Sequence, residues 1–303
     1  PKQNNTQNGG QVQNNQSVSP SSTQESKAMV PMDSLELDNA YFDNEDRIFS
    51  LENGLQPEET PPTGQQRSML STSFEAQPEL SLHREEYVQI KDNTNSKLLS
   101  DMDIRIALDE LEAQENIKIS LPVIKALIKV ESAGRGHLSD GRAKILFEGH
   151  KFWYWLNAFG KNPEALSVGH EDIIYKKWTR NHYRVGLKEY DRLEEARKID
   201  PKAAIYATSW GLFQILGENM EHNIKSRNYK DVAEFEAKQH ESEYFHFLDF
   251  LAFIKIKKVR GKALIEYIAE TNEGNYDWES FAYGYNGSGY KVNEYHLKMK
   301  HFY

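Results

Sequence analysis

The chain has 303 residues, a formal net charge of −9 and no cysteine. The absence of cysteine excludes disulfides, thiolate metal sites and cysteine nucleophiles. No apolar run is long enough to cross a bilayer, and the N-terminal residues lack the apolar core of a signal peptide. These features predict a protein that is made in the cytoplasm and has no membrane span.

The negative charge is concentrated at one end of the chain. Residues 1–98 hold 7 Lys and Arg against 15 Asp and Glu, together with seven of the ten prolines and no tryptophan. Residues 99–303 hold 30 basic and 31 acidic residues and all five tryptophans. This shift predicts an acidic tail or linker over 1–98, too polar to build a core, followed by one globular domain over 99–303.

The predicted tail has two parts. Residues 1–26 are a low-complexity mixture of Asn, Gln and Ser, which we expect to be disordered. Residues 27–98 carry apolar spots near Met29–Leu37 and Ile48–Leu55. Two interpretations stay open for them: an acidic linker with incidental apolar residues, or docking motifs that order on a partner. In both cases we expect the tail to be dispensable for chemistry.

From Ser100 onward, apolar residues recur at helical spacing. The pattern predicts about eight to ten helices with at most a minor sheet, which is a mainly α domain. In chain order, the predicted helices cover 100–116, 121–134, 149–160, 187–200, 201–211, 231–256 (with a possible break), 262–272, 277–286 and 292–303. An extended piece is predicted over 143–149 and a long irregular connection over 162–186.

The helix predicted over Leu121–Gly134 is the centre of this domain. It begins after Ser120 with Pro122 in its first turn, and its apolar positions leave little surface for water, so we expect it to be buried. One carboxylate, Glu131, lies in its last turn. Burial and the helix C-terminus both favour the protonated form, which suits a general acid. The plainer alternative is a surface glutamate at a helix end.

Two further carboxylates are weaker candidates. Glu148 follows the apolar residues 145–147, where an unpaired carboxylate would be costly. It would be either a second functional carboxylate or the partner of a Lys or Arg in a structural ion pair. Asp140 is weaker still, because its Ser-Asp-Gly sequence is ordinary turn chemistry.

The sequence favours no metal, cofactor or nucleic acid. The ten histidines show no metal-ligand spacing, and we expect His150, His182 and His222 to be polar packing residues. No Gly-x-Ser-x-Gly nucleophile elbow is present. The basic run over 254–262 fits a solvated helix end or contact with an anionic cell wall better than nucleic acid, because the domain around it is nearly neutral.

Motifs occur in a fixed order along residues 100–303. They are VESAG at 130–134, KILFEGH at 144–150, a Trp-Thr-x-x-x-Tyr segment at 178–183, SWGLFQI at 209–215 and AYGYNGSGY at 282–290. By these segments the chain resembles the lysozyme-like superfamily, which includes goose-type lysozymes and lytic transglycosylases. It is most similar to the N-acetylmuramidase family of phage endolysins. The resemblance implies a two-lobed helical domain with a cleft.

The resemblance also implies roles for individual residues. Glu131 corresponds to the catalytic acid, and Gln214 to a glutamine that faces the sugar cleft. Tyr285 and Asn286 come at the end of a predicted helix, where a sugar contact or, for asparagine, a helix C-cap are both open. Trp178 and Trp210 are candidates for stacking on sugar rings, although large aromatic residues are more often core.

The implied activity is bacteriolytic cleavage of the β-1,4 bond between N-acetylmuramic acid and N-acetylglucosamine in peptidoglycan. Such a protein acts on the wall after release as an endolysin or injection as an effector. One alternative is a lytic transglycosylase, which leaves 1,6-anhydro ends. Another is a catalytically silent wall-binding component of a phage or contractile injection particle. The retained glutamate in VESAG argues against a silent protein.

Overall fold

The computed structural model describes residues 96–272 and 275–303. The predicted disordered segment and both apolar spots of the tail lie outside the described residues. The first described residues already contact the rest of the domain. The Lys97 ammonium donates to the carbonyls of Gly141 (2.9 Å) and His240 (2.7 Å), and the Leu99 N–H donates to the Glu243 carboxylate (2.8 Å).

Most of the described chain is helical, which confirms the mainly α prediction. The helices are α1 (Asp101–Glu115), α2 (Leu121–Ser132), α3 (Gly149–Ala158), α4 (Pro163–Leu166), α5 (Glu189–Ile199), α6 (Pro201–Tyr206), α7 (Val232–Glu241), α8 (Glu243–Ile256), α9 (Trp278–Asn286) and α10 (Tyr295–Phe302). Short 3₁₀ turns occur at Gly186–Lys188, Gly217–Glu221, Lys225–Arg227, Leu264–Tyr267, Glu270–Asn272 and Ser288–Lys291. No helix in the described ranges is long and apolar enough to cross a membrane.

Capping residues explain where several helices begin and end. Ser100 and Asp103 form a reciprocal capping box at the start of α1, and Asn116 ends that helix in the left-handed conformation. The helix α2 begins with Pro122 in its first turn and ends at Ala133, whose φ of 56° stops it. Ser242 separates α7 from α8, so the break considered for the 231–256 segment is present.

A small antiparallel sheet lies beside the helices. Its strands are β1 (Ile145–Phe147), β2 (Thr208–Trp210) and β3 (Ile215–Leu216), in that order, with Leu146 opposite Ser209 and Ser209 opposite Leu216. Pairing with β1 is the reason that residues 208–210 leave the helix predicted over 201–211. A separate hairpin pairs β4 (Lys258–Val259) with β5 (Lys262–Ala263).

Residues 262–272 do not form the helix predicted for them. Its first residues pair in β5, and the remainder forms 3₁₀ turns. The Glu266 carboxylate accepts from the Ala263 N–H at 2.7 Å, and the Tyr267 hydroxyl donates to the Val259 carbonyl at 2.7 Å. These contacts fold the segment back onto its own hairpin, and this tight turn competes with a regular helix.

The core surrounds α2, whose Val123, Ile124 and Leu127 have no solvent exposure. The C-terminal helix α10 packs against α2. Phe213, in the turn between β2 and β3, stacks on Phe250 of α8, with 4.3 Å between the ring centroids. The end of α9 joins these parts, because Tyr285 donates to the Phe213 carbonyl and Asn286 donates to Glu131 in the last turn of α2.

Candidate active site

Glu131 lies fully buried in the last turn of α2, as the apolar pattern of that helix predicts. Its Oε1 accepts a hydrogen bond from Asn286 Nδ2 at 3.0 Å. Asn286 is itself buried and comes from α9, 155 residues further along the chain. The structure therefore brings together two of the residues singled out from the sequence, and it does so away from bulk water.

Asn286 does not cap its helix. It is the last residue of α9, and the C-cap is Gly287 with a φ of 78°, a conformation that glycine adopts without strain. The asparagine side chain is turned instead toward Glu131. Its Oδ1 is buried and accepts no hydrogen bond from the described residues. The C-cap alternative for Asn286 is corrected accordingly.

Lys144 connects the segments around Glu131. Its Nζ donates to the Ser132 carbonyl at the end of α2 (3.2 Å), and its N–H donates to the Gly136 carbonyl (2.7 Å). Its own carbonyl accepts from the Gly211 N–H (2.7 Å) and from Gln214 Nε2 (3.4 Å). A cation at a helix C-terminus is favourable. Burial lowers the pKa of the Lys144 ammonium to about 8, and the nearby Arg135 adds to this effect.

Gln214 and Tyr285 support the β2–β3 turn. Gln214 has a φ of 51° and donates through Nε2 to the Gly211 carbonyl at 2.7 Å, while the Tyr285 hydroxyl donates to the Phe213 carbonyl at 2.7 Å. Both side chains are buried. Their polar atoms thus fix the backbone beside Glu131, and a direct sugar contact stays a prediction for each.

Glu148 is the N-cap residue of α3 and is 4% exposed. Its Oε2 accepts from the Tyr183 hydroxyl at 2.7 Å, and that hydroxyl accepts in turn from Trp178 Nε1 at 3.0 Å. His150 Nδ1 lies 3.5 Å from the same oxygen. Burial lowers the pKa of His150 to about 3, so the ring is neutral near pH 7.

A buried ion pair underlies Glu148. Arg192 and Glu189 have no solvent exposure and bind each other on α5. The Phe147 N–H donates to Glu189 Oε1 (3.1 Å), and Arg192 Nη1 donates to the Phe147 carbonyl (2.8 Å). Arg192 Nη2 donates to the Asp172 carbonyl (2.9 Å) in the irregular connection. The pair thereby fixes the backbone immediately before Glu148.

The comparisons with known proteins agree with this arrangement. The family model of the N-acetylmuramidases matches residues 120–303. This chain belongs to the N-acetylmuramidase family. It is also similar to the crystal structure of the endolysin of Burkholderia phage AP3, with 32% identity and a TM-score of 0.55, over 68% of this chain and 70% of that one. A search of curated proteins gives no match.

Family membership and the endolysin likeness establish the predicted class of activity. The protein is a peptidoglycan hydrolase, a glycoside hydrolase of the lysozyme type. The alternatives of a transglycosylase and of a silent wall-binding component are not favoured by these findings. Among the residues described in this muramidase, no cluster of His, Asp and Glu could hold a metal ion.

The two tryptophan candidates have different environments in this muramidase. Trp178 is half-buried, reaches Glu148 through Tyr183, and has the Arg180 guanidinium 5.7 Å from its ring centroid, so a sugar contact stays a prediction for it. Trp210 is 1% exposed and packs edge-on against Phe235. Trp210 is therefore a core residue. This corrects its prediction as a sugar-stacking residue, because a buried indole presents no face to a sugar.

Asp140 has the turn-forming role that its Ser-Asp-Gly sequence predicts. Its carboxylate accepts from the Arg142 N–H at 3.0 Å and from Arg142 Nε at 2.6 Å, so it closes a local turn. This is the ordinary Ser-Asp-Gly chemistry that the sequence indicates.

Sequence reasoning missed Glu243, which anchors the loop after α2. Its Oε1 accepts from the Gly136 N–H at 2.7 Å, and its Oε2 accepts from the Leu99 N–H at 2.8 Å. One carboxylate thus joins the loop that follows Glu131 to the start of the domain. The only signal in the sequence is a glutamate at the start of an otherwise aromatic helix.

Sequence reasoning also missed His246, which holds the β2–β3 turn. Its Nδ1 accepts from the Leu212 N–H (3.1 Å), so its protonated Nε2 donates to the Gln239 carbonyl (2.7 Å). A side chain at Gly136 or Gly211 would come within 2.8 or 2.5 Å of the imidazole ring. The ring therefore fits between the loop after α2 and the turn after β2. Burial lowers the pKa of His246 to about 4.

The protein is expected to lose stability as the pH falls from about 6.5 to about 4. Burial lowers the pKa of His246 to about 4 and that of His150 to about 3, so at each of these positions the unfolded chain takes up a proton in this range while the folded protein does not. One such histidine removes about 2 kcal/mol of unfolding free energy between about pH 7 and pH 5. Denaturant unfolding at both pH values measures the loss.

Two variants measure the share of His246 in that pH dependence. His246→Gln is expected to show a smaller loss between the two pH values, because it has no proton to take up. His222→Gln, which alters an exposed histidine, should keep the slope of the parent. An unchanged slope in His246→Gln would contradict the assignment.

Proposed function

We propose that Glu131 is the general acid of this muramidase, and that water completes the cleavage of the β-1,4 bond. The observation that supports this most is the full burial of the Glu131 carboxyl in a helix end, where the neutral amide of Asn286 donates to it. Departure of a sugar needs a proton on the glycosidic oxygen, and a buried carboxyl is suited to keep that proton until the bond breaks.

Asn286 would serve Glu131 in both of its protonation states. An amide group has a donor and an acceptor of nearly equal shape, and the two are exchanged by a half-turn of the group. Nδ2 donates to the carboxylate, as in the present arrangement, whereas Oδ1 would accept from the carboxylic acid. The unused, buried Oδ1 supports this role.

Glu148 is proposed as the second carboxylate of the reaction. It would stabilise positive charge at the anomeric carbon or orient the attacking water. The Tyr183 hydroxyl donates to it at 2.7 Å, and an ionised carboxylate is the stronger acceptor for such a bond. The neutral His150 ring beside it adds no competing cation near pH 7.

Trp178 is proposed as a platform for a sugar ring. Its indole is half-buried, and its Nε1–H is used by Tyr183, so the ring orientation is fixed. Aromatic faces stack well on the apolar faces of sugars because both are flat and weakly hydrated. Substrate bound on Trp178 would lie next to the residue that holds Glu148.

The products of the Glu148→Gln variant test this mechanism. We expect the parent to release reducing N-acetylmuramic acid ends from purified peptidoglycan, as detected by mass spectrometry. The variant should release them about 10²- to 10⁴-fold more slowly, the range of carboxylate acid–base effects, with little change in thermal stability. Tyr183→Phe, which keeps the carboxylate but removes its donor, should give a smaller loss.

Two outcomes would contradict the proposal. Release of 1,6-anhydro ends by the parent would mean that the muramic 6-hydroxyl attacks in place of water, as in a lytic transglycosylase. Collapse of thermal stability in Glu148→Gln, with normal turnover in the remaining folded fraction, would make Glu148 a structural residue.

The acidic segment over 1–98 is proposed to act in delivery and not in catalysis. Its charge would not favour adsorption to an anionic wall. It would serve as a spacer, or as a loading signal for a phage tail, secretion system or injection particle. The enzyme would be made in the cytoplasm and reach the wall after release or injection.

A further inference from the structure

The first described residues occupy the junction between α7 and α8. The Lys97 carbonyl accepts from the Glu243 N–H at 2.8 Å, and the Lys97 ammonium donates to the His240 carbonyl at 2.7 Å. One residue thus serves an N–H at the start of α8 and a carbonyl at the end of α7, and its positive charge is favourable at a helix C-terminus. We refer to residues 97–99 as the strap.

The strap contacts the loop that follows α2, which we define as residues 133–143. The Lys97 ammonium donates to the Gly141 carbonyl at 2.9 Å. Gly141 belongs to a turn in which its own N–H donates to the Leu138 carbonyl at 3.0 Å. The lysine contact therefore connects the turn of this loop to the α7–α8 junction.

Glu243 makes a second connection between the strap and this loop. Its Oε2 accepts from the Leu99 N–H at 2.8 Å, and its Oε1 accepts from the Gly136 N–H at 2.7 Å. Burial raises the pKa of the Glu243 carboxyl, but the hydrogen bonds that it accepts outweigh this effect and hold the pKa below its ordinary value. The group is therefore ionised near pH 7, and an ionised acceptor strengthens both bonds.

The loop is connected in turn to the last turn of α2. The Lys144 N–H donates to the Gly136 carbonyl at 2.7 Å, and the Lys144 ammonium donates to the Ser132 carbonyl at 3.2 Å. Ser132 is the residue after Glu131. Gly136 therefore lies on a path of hydrogen bonds that runs from the Glu243 carboxylate to the turn of α2 that carries the acid.

We propose that Lys97 and Glu243 are positioning residues for the catalytic acid and act through the loop after α2. This inference rests on the proposed role of Glu131. A general acid loses efficiency steeply when it is displaced, since an error of about 1 Å can cost about 10²-fold in rate. The strap restrains the loop at two points, and the loop restrains the turn that carries the acid.

Family membership assigns the strap no role, because the match to the N-acetylmuramidase model begins at residue 120. The strap also lies at the end of the acidic segment. The delivery role proposed for residues 1–98 therefore applies to the residues that precede Lys97, and the strap belongs with the catalytic domain.

Turnover by the full chain carrying Glu243→Gln tests the proposal. The glutamine amide has one acceptor oxygen, so one of the two N–H groups faces an NH₂ donor in place of an oxygen. We expect kcat for the release of reducing ends from soluble glycan strands to fall about ten- to a hundredfold per folded molecule. KM should stay close to the parent value, because the change displaces the acid and leaves the sugar contacts in place. A purely structural role would lower the thermal midpoint and leave kcat per folded molecule unchanged.

Lys97→Met is a milder test, because this side chain is exposed and the fold does not depend on its burial. Loss of the ammonium should raise the hydrogen-exchange rate of amides in the loop after α2 about three- to tenfold, the net effect of one or two hydrogen bonds. The fall in kcat should be smaller, about two- to fivefold, because the connection through Glu243 remains. Lys97→Arg keeps the charge and the donors, so it should restore both values.

Lys198→Met is the matched control, because it makes the same change at an exposed lysine on α5. It should keep the exchange rates and the kcat of the parent. The proposal would be overturned by a parent kcat per folded molecule in Glu243→Gln, by equal effects of Lys97→Met and Lys198→Met, or by Lys97→Arg behaving as Lys97→Met does. Failure of the catalytic assignment would look different, because Glu131→Gln would then keep releasing reducing ends.

Discussion

Glu131→Gln is expected to abolish useful hydrolysis while leaving the fold intact. The amide has nearly the same shape as the acid and still accepts from Asn286 Nδ2, but it has no acidic proton to transfer. General acid catalysis contributes about 10²–10⁴-fold, so a loss of at least that size is expected in the release of reducing ends. Thermal unfolding of the variant should match the parent.

The control for Glu131→Gln is the same chemical change at Glu112, which is exposed on α1. Glu112→Gln should have the activity of the parent, because Glu112 belongs to none of the sequence motifs and its side chain is exposed to water. Hydrolysis by Glu131→Gln within threefold of the parent rate would show that another group supplies the proton.

Arg192→Met is expected to be the most destabilising of the single changes considered. It leaves Glu189 buried without its cation, and it removes the donor to the Phe147 and Asp172 carbonyls. Breaking a buried ion pair typically costs about 3–5 kcal/mol. For a domain of this size that corresponds to a fall in the thermal midpoint of roughly 10 °C. Denaturant and thermal unfolding measure both quantities.

A double-mutant cycle isolates the pair itself. Arg192→Met with Glu189→Leu should lose less stability than the two single changes added together, by at least about 1 kcal/mol. Arg184→Met is the comparison, because Arg184 is half-buried and pairs with Asp172 at 2.9 Å. Exposed pairs contribute at most about 1 kcal/mol. An equal loss of unfolding free energy in Arg192→Met and Arg184→Met would show that the buried pair contributes no more to stability than an exposed pair does.

The proposed role of Glu148 would connect stability with catalysis through strand β1. The Arg192–Glu189 pair holds the backbone of Phe147, and the next residue is Glu148. Under conditions in which only part of the Arg192→Met protein is folded, each folded molecule should therefore also release products more slowly than the parent does. Slower release of this kind would show that α5, which binds the backbone of Phe147, supports the proposed role of Glu148.

Local sequence determined the helices and the position of Glu131 within them. The capping box of Ser100, the proline near the start of α2 and the apolar stripe of that helix act over a few residues, so they can be read directly. The same applies to Glu148, because three apolar residues before a carboxylate indicate burial whatever the partner is. The motif order then indicated the family, which the match over residues 120–303 shows.

Tertiary contacts decided the features that the periodic pattern predicted differently. Residues 208–210 continue an apolar helical pattern, yet they form β2 because β1 offers backbone partners across 60 or more residues. The same pairing buries Trp210. The sequence could not distinguish this core tryptophan from the half-buried Trp178, because both are the same residue type. Whether an aromatic residue is core or platform depends on which neighbours cover it.

The sequence by itself determined the division of charge, the mainly helical domain, the family and the buried helix that carries Glu131. Only the tertiary structure decided that Asn286 contacts Glu131, that Tyr183 contacts Glu148, and that Glu243 and His246 hold the neighbouring turns. The physical reason is range. Helix periodicity and caps are set by neighbours within about four residues, whereas each of these hydrogen bonds joins groups brought together only when the whole core packs.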